Sequence, residues 1–195
     1  ATVLYTRADG PYRSLADVIA AAKAGRGKWG AANPASLERI TMERINRITG
    51  ARAAIVPHEG GGDMMINVLN GTLDMGVGEP QELRAQLEAN KLRLLATVSA
   101  ERLAAFPDVP TAREQGVDLV VSKFRGLAGP KGMSDELAAM WYDALRQVLA
   151  TPAYKAVFEP EALTVALKPR AEARAFTTAF AAELTQNLRE MGVLR

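Results

Sequence analysis

The sequence predicts an α/β protein built on a doubly wound sheet that is rich in parallel strands. Up to Val121, short apolar runs with β-branched residues alternate with stretches in which apolar residues recur at helical spacing. The connections between them are short, as in βαβ units. The chain of 195 residues is 48% hydrophobic and 24% charged, which is ordinary for a globular protein with a real core.

Six strands, four helices and a further short helix that ends at Gly116 are expected in this part. Residues 92–98 form a nearly continuous apolar run, which is typical of a strand buried in a parallel sheet. The other predicted strands are residues 2–7, 28–30, 53–57, 73–77 and 117–121. The helices are predicted to begin at Ser14, at Asn33-Pro34, at Asp63 and at Pro80, with Asp17 in the capping-box position after Ser14.

The chain changes character after Lys123. Residues 124–132 are rich in Gly and Pro, and long helical patterns follow. Helices are predicted from Ser134, Pro152 and Pro169, and residues 162–167 favour a strand. This tail has too few strands to complete a sheet alone, and residues 1–8 are the nearest candidate to pack with it.

The stretch 28–36, KWGAANPAS, is a candidate anion site. Asn33 is predicted to cap a helix whose first residue is Pro34, which would leave the N–H groups of Ala35 and Ser36 exposed next to Ala32. Such a helix start suits a carboxylate or a phosphate. The alternative interpretation is that Asn33 caps a helix with no ligand.

Two further loops follow predicted strands and precede predicted helices. Gly60, Gly61 and Gly62 allow close approach to backbone donors, although no complete phosphate-binding motif is present. Glu79 is either a solvated carboxylate or an acceptor for a ligand hydroxyl or amine. Because ligands bind at the carboxyl ends of parallel strands, the loops 30–36, 58–63 and 78–80 are expected along one edge of the sheet.

The sequence argues against an enzyme and against several kinds of partner. It has one histidine, His58, no cysteine and no G-x-S-x-G or H-E-x-x-H pattern, so we expect no catalytic residues, no metal and no cofactor. The net charge is +2 without a basic block, which argues against nucleic acid. No apolar run approaches the roughly 18 residues that span a bilayer.

The order of several motifs resembles the receptors of tripartite tricarboxylate transporters, also called Bug proteins. The motifs include ADGPYRSLAD, VPHEGG, NGTLD and FPDVPT. The matching segments are residues 8–17, 29–36, 56–61, 70–74, 89–93, 101–103, 106–111, 114–116, 125–127 and 129–132. The sequence departs from the family at His58-Glu59, where Tyr-Lys is frequent, and in the loop 31–36, which lacks the usual Gly/Ser/Thr-rich form.

The resemblance implies a type II periplasmic-binding-protein-like fold with two α/β lobes and a carboxylate between them. Residues 11–123 would form the second lobe. Residues 1–10 and 124–195 would be the crossover strand and the C-terminal, helical remainder of the first lobe. The family's first lobe begins with a βαβ portion that this sequence lacks, so we expect a truncated or reduced form.

The leading hypothesis is a periplasmic receptor that captures a small di- or tricarboxylate for a tripartite tricarboxylate transporter. Its partners would be the carboxylate and the membrane subunits of the transporter, and its mechanism a closure of both lobes around the anion. Arg125 is a candidate for bidentate pairing with the carboxylate, or else a structural ion pair. The alternatives are a ligand-sensing domain that signals to a protein partner, and an α/β enzyme. Self-association is expected through apolar surface on the C-terminal helices.

Overall fold

The computed structural model describes residues 2–159, 163 and 165–194. The chain divides into two compact units, Ala1–Lys123 and Phe124–Arg195. The first unit contains every strand found among the described residues. These strands are β1 (Val3–Arg7), β2 (Lys28–Ala31), β3 (Ala54–Pro57), β4 (Gly76–Gly78) and β5 (Leu92–Thr97).

The strands of the first unit form a three-stranded antiparallel sheet and a two-stranded parallel sheet, not one wholly parallel sheet. β1 lies between β4 and β5 and is antiparallel to both. β2 and β3 are parallel, and a parallel bridge from Trp29 to Met75 connects them to the stretch that leads into β4. The expectation of parallel strands is therefore wrong for β1. Its partners are far away in the sequence, and no local pattern predicts the direction in which it pairs with them.

Four helices cover these sheets, and they begin close to the predicted positions. The first has Ser14 as its N-cap, and Asp17 completes the capping box as the sequence indicates. Helix α4 has Pro80 as its first residue, as expected. The four helices are α1 (Leu15–Lys23), α2 (Leu37–Thr49), α3 (Gly61–Leu69) and α4 (Pro80–Glu88).

The core of the first unit lies where the inner faces of these helices meet the sheets. Trp29 on β2 and Leu4 on β1 are fully buried. Large side chains from the helices join them, among them Leu15, Ile40, Met42, Ile45, Met64 and Leu83. Their helical spacing is the pattern that predicted amphipathic helices.

Two predicted strands need correction. The strand expected at 73–77 begins only at Gly76, because Met75 and the residues before it run beside β2 with isolated hydrogen bonds. Residues 117–121 form no strand. Val117, Leu119 and Val121 are buried alternately as a strand would require, and the N–H of Val121 donates to the carbonyl of Val98 at 2.9 Å, but this single bond does not make a ladder. The alternating apolar residues therefore indicate burial of the segment here, and not its pairing in a sheet.

An ion pair holds the irregular segment between β5 and the end of the first unit. Nε of Arg102 donates to both carboxylate oxygens of Glu114, at 2.9 and 3.0 Å. The N–H of Thr111 donates to the same carboxylate at 2.7 Å. These bonds, led by the one from Arg102, hold the pKa of Glu114 at about 2, below its ordinary value of 4.5.

This geometry predicts a stability loss in acid. The lowered pKa of Glu114 contributes stability that is present above its unfolded value of 4.5 and is lost as the pH falls towards about 2. As the pH falls from 4.5 to about 2, the melting temperature of the Glu114→Gln variant should therefore decrease less than that of the unmodified protein. An exposed control, Glu88→Gln, should follow the unmodified protein. Parallel melting curves for all three across this window would refute the assignment.

The second unit is helical over most of the residues that the structure describes. Ser134 caps the first helix, Pro152 starts the second and Pro169 precedes the third, as predicted. The helices are α5 (Asp135–Ala150), α6 (Pro152–Phe158) and α7 (Arg170–Glu190). Of the strand expected at 162–167, residues 162 and 164 lie outside the described part, and the remaining four positions are not in a strand.

Aromatic and polar contacts connect the elements of the second unit. The ring of Phe124 meets those of Phe176 and Phe180 edge-on, with centroids 5.1 and 5.2 Å apart. Nη1 of Arg170 donates to the carboxylate of Asp135 at 2.8 Å, which connects the starts of α5 and α7. The assignment of residues 1–10 and 124–195 to one lobe remains a prediction.

Candidate functional site

A cavity of about 120 Å³ opens in the first unit at the carboxyl ends of β2 and β4. The starts of α2, α3 and α4 surround it, so residues from all three predicted loops meet there. Glu38, Glu79 and Glu82 supply its acidic groups, and Lys123 supplies a basic one. The other lining residues are Ala32, Asn33, Ser36, Gly61, Met64, Val77 and Gly78.

The loop before α2 differs from the prediction. Ser36, not Asn33, is the N-cap, and its Oγ accepts a hydrogen bond from the N–H of Arg39 at 3.0 Å. The oxygens of Asn33 accept from the N–H groups of Ala35 and Ser36, at 3.1 and 3.0 Å. These two N–H groups were expected to be exposed donors, and that expectation is wrong because Asn33 closes a turn with them.

The start of α3 is the least capped of the three. Gly60 is its N-cap and has no side chain to offer, whereas the prediction placed the helix start two residues later, at Asp63. Gly61 lines the cavity, and its N–H belongs to the first turn, where helices lack internal acceptors. A helix start of this kind favours negative charge nearby.

Glu79 and Lys123 form an ion pair within the cavity wall. Glu79 is the N-cap of α4, and Lys123 is the last residue of the first unit. The hydrogen bond with Glu79 is the main cause that raises the pKa of Lys123, and the charges of Glu79, Glu38 and Glu82 raise it further. Lys123 therefore stays protonated at neutral pH.

Glu82 occupies the space between α3 and β4. A methyl group built on Gly61 would lie 3.0 Å from its Oε2, and one built on Gly78 would lie 3.4 Å from the same atom. The same oxygen is 3.5 Å from the backbone N of Glu79. Burial raises the pKa of the Tyr5 hydroxyl, and the negative charge of Glu82 adds to that effect. Glu82 is thus an acidic group of the cavity wall, on an exposed residue.

The cavity contains five of the nine side chains and backbone positions predicted to bind a ligand. These are Ala32, Asn33, Ser36, Gly61 and Glu79. The remaining four do not line it: Ala35 and Gly60 belong to the adjoining turns, Gly62 is the second residue of α3, and Arg125 belongs to the second unit. The binding role of all nine stays a prediction.

Sequence reasoning missed Glu38, Glu82 and Lys123. Glu82 stands three residues after the cap position of a helix that Pro80 starts, which signals a capping box and not a ligand. Lys123 follows the misassigned strand at 117–121. His58 does not line the cavity, and its Nδ1 donates to the carbonyl of Val56 at 2.9 Å.

No cluster of three or more histidine and carboxylate side chains within the described residues is arranged to hold a metal ion. Within the same residues, each helix is too short or too polar to cross a bilayer.

The chain shares its fold with solved structures of solute-binding proteins. The chain superposes on a TctC solute-binding protein from Polaromonas with a TM-score of 0.80 and 23% identity, over 99% of this chain and 66% of that one. It superposes on an R. palustris protein with adipate with a TM-score of 0.82 and 19% identity, over 98% and 65% of the two chains. The predicted type II periplasmic-binding-protein-like class is confirmed.

The sequence comparison narrows this class to a family. The model for the tripartite tricarboxylate transporter family receptor, TctC, matches residues 1–184. The chain belongs to the TctC family. It is 32% identical over 154 residues to the UPF0065 protein in the gbd 5' region of Cupriavidus necator, over 78% of this chain and 47% of the relative. It is 26% identical over 166 residues to the protein BugT of Bordetella pertussis, over 84% and 51%.

The chain spans about half the length of the curated relatives that it matches. The resemblance drawn from the ordered motifs is thereby confirmed at the level of the family.

Proposed function

We propose that this protein is a periplasmic receptor that binds a small organic carboxylate and delivers it to a tripartite tricarboxylate transporter. The observation that carries the proposal is the cavity at the starts of α2, α3 and α4, in a chain of the TctC family. The family consists of solute-binding receptors, and we propose that this chain likewise acts by binding and not by catalysis.

The ligand class is supported by solved relatives. One has adipate bound, and another is MatC from Rhodopseudomonas palustris with bound malate, which shares 22% identity over 97% of this chain and 64% of that one, with a TM-score of 0.70. Both ligands are dicarboxylates. Their fold matches this chain, so a carboxylate is the ligand class that the relatives favour.

The chemistry of the cavity gives independent support. Gly61 at the uncapped start of α3 and Lys123 in the wall are the groups that attract an anion. Ser36 and Asn33 add polar side chains at the start of α2, although their oxygens already accept backbone hydrogen bonds. We infer that a carboxylate enters between Gly61 and Lys123 and breaks, in part, the ion pair of Lys123 with Glu79.

The carboxylate site can be tested with a matched pair of substitutions. Ala32→Leu adds three carbon atoms inside the cavity, whereas Ala85→Leu adds the same atoms on the exposed side of α4. We expect isothermal titration with succinate, malate, adipate and citrate to give heat with at least one of them. Ala32→Leu should weaken that binding by about tenfold or more, which corresponds to ~1.4 kcal/mol.

The control should bind as the unmodified protein does. A folded protein that gives no heat with any of the four carboxylates would refute the carboxylate function. Equal weakening by Ala32→Leu and Ala85→Leu would instead refute the assignment of the ligand to this cavity.

Two further parts of the sequence-based hypothesis stay predictions. A ligand-sensing domain that signals to a protein partner would use the same cavity, and transport assays with the membrane subunits would separate the two roles. Self-association through the C-terminal helices also remains predicted. Met140, Trp141 and Val157 expose 59%, 51% and 59% of their surface, which is the kind of apolar surface that the prediction needs.

A further inference from the structure

Four exposed basic side chains lie at the edge of the parallel sheet that is opposite to the cavity. They are Lys23 at the end of α1, Arg26 in the turn that follows, Lys28 at the start of β2, and Arg52 just before β3. We call these four residues the basic edge. Within the described residues, no hydrogen bond or ion pair engages any of the four side chains.

The packing of the backbone explains why these four residues are neighbours. The chain turns back at Gly25, which has a φ of 80°, and so leads from α1 into β2. A methyl group built on Gly27 would lie 2.6 Å from Cβ of Ala22 and 2.9 Å from Cβ of Ala53. The N–H of Ala54 donates to the carbonyl of Gly27 at 2.8 Å. Each basic residue directly precedes or follows one of these contacting residues in the chain, so the contact brings the four together.

Asp74 contacts the basic edge, but its carboxylate is already hydrogen-bonded. Oδ2 accepts from the backbone N–H of Lys28 at 2.8 Å, and Oδ1 accepts from the hydroxyl of Tyr12 at 3.0 Å. The charge of Asp74 offsets one of the four positive charges. Within the part of the chain that the structure describes, no other carboxylate touches the four side chains, so the edge keeps an excess of positive charge.

We propose that the basic edge holds the protein against a surface of anionic lipid headgroups. The residues between Lys23 and Lys28 are small apart from Arg26, so this described loop offers no aromatic or large apolar side chain of the kind that anchors a protein interface. Exposed cations without such an anchor suit an extended layer of negative charge, to which each Lys or Arg adds its own contribution.

The place of the basic edge keeps the cavity accessible during such contact. The cavity opens at the carboxyl ends of β2 and β4, whereas Lys28 begins β2 at its amino end. A receptor held by this edge would stay near the membrane subunits of a transporter while its cavity remains open to solution. The inference goes beyond the proposed function and does not depend on which ligand the cavity takes.

Sedimentation with lipid vesicles tests the proposal. We expect the protein to bind vesicles made of equal parts of phosphatidylcholine and phosphatidylglycerol, and not vesicles of phosphatidylcholine alone. Salt should release it between about 0.01 M and 1 M, because the Debye length falls from roughly 30 to 3 Å over this range. The double variant Arg26→Gln/Arg52→Gln should bind the mixed vesicles about twentyfold more weakly, since each Lys or Arg near an anionic surface contributes about fivefold.

Lys131→Gln/Lys155→Gln is the matched control, because it removes two charges from exposed positions in the second unit. It should bind as the unmodified protein does. Equal weakening by both double variants would overturn the role of the basic edge. A folded protein that stays in solution beside the mixed vesicles at low salt would overturn the lipid contact and leave an acidic protein surface as the partner. Arg26 and Arg52 do not line the cavity, so their double variant should still bind a carboxylate, which separates this test from that of the proposed function.

Discussion

Replacing Trp29 with alanine is expected to lower the free energy of unfolding of the first unit by about 3–5 kcal/mol. Trp29 is 0% exposed and lies on β2, where it bridges to Met75 and so connects the parallel sheet to the residues that lead into β4. Truncation would remove a large apolar surface and leave a cavity that the surrounding sheet cannot close.

The second tryptophan of the chain provides the control. Trp141 in the second unit is 51% exposed, and Trp141→Ala should cost about 1 kcal/mol or less. Urea titrations followed by circular dichroism would measure both losses. Equal losses for the two variants would show that Trp29 is not a structural centre of the first unit.

A phenylalanine at position 29 refines this expectation. Nε1 of Trp29 is buried and has no hydrogen-bond partner among the described residues. An unpaired buried donor costs roughly 1–3 kcal/mol, and Trp29→Phe removes it while it keeps an aromatic ring in place. We therefore expect Trp29→Phe to destabilise the protein far less than Trp29→Ala does.

Adding a single methyl group at Gly76 is expected to destabilise the first unit by about 1–3 kcal/mol. Gly76 pairs with Tyr5 across β4 and β1. A Cβ at this position would lie 2.5 Å from Cζ of Tyr5 and 2.6 Å from its hydroxyl oxygen. Tyr5 is 1% exposed, so its ring has no open space to move into without disturbing the pairing of the two strands.

Gly62→Ala is the matched control for this substitution. It adds the same methyl group inside α3, where a Cβ would meet nothing within 4 Å. Because alanine is the better helix former, this variant should be about 0.5–1 kcal/mol more stable than the unmodified protein. Chemical denaturation of both variants would test the pair, and destabilisation of the same size in each would contradict the close contact at Gly76.

The local features of the fold were the most predictable. Ser14 and Ser134 cap helices at the expected positions, and Pro80 and Pro152 start them. Caps and helix starts depend on a few neighbouring residues, so their chemistry can be recognised in the sequence. The same local reasoning failed at Asn33, because Asn-Pro also favours a turn and Ser36 is an equally good cap three residues later.

Features that depend on distant residues were not predictable in this way. The antiparallel direction of β1 follows from pairs such as Val3 with Gly78, which no local pattern encodes. The three loops could be placed at one edge of the sheet from strand order alone. The acidic residues of the cavity could not be predicted from the sequence. Glu38 and Glu82 lie within helices, and only the packing of α2 and α4 brings them to the cavity.

The central place of β1 has a consequence for how the chain acquires its structure. During synthesis β1 is made well before β4 and β5, yet it lies between them and bonds to both. Val3 pairs with Gly78 and with Thr97, so within these residues β1 meets its first partner strand only after Gly78 has been made and its second only after Thr97. Strands that are this far apart in the sequence pair slowly, because a long loop must close first. In the interval, Val3, Leu4 and Tyr5 form the segment of a nascent chain that a chaperone would bind.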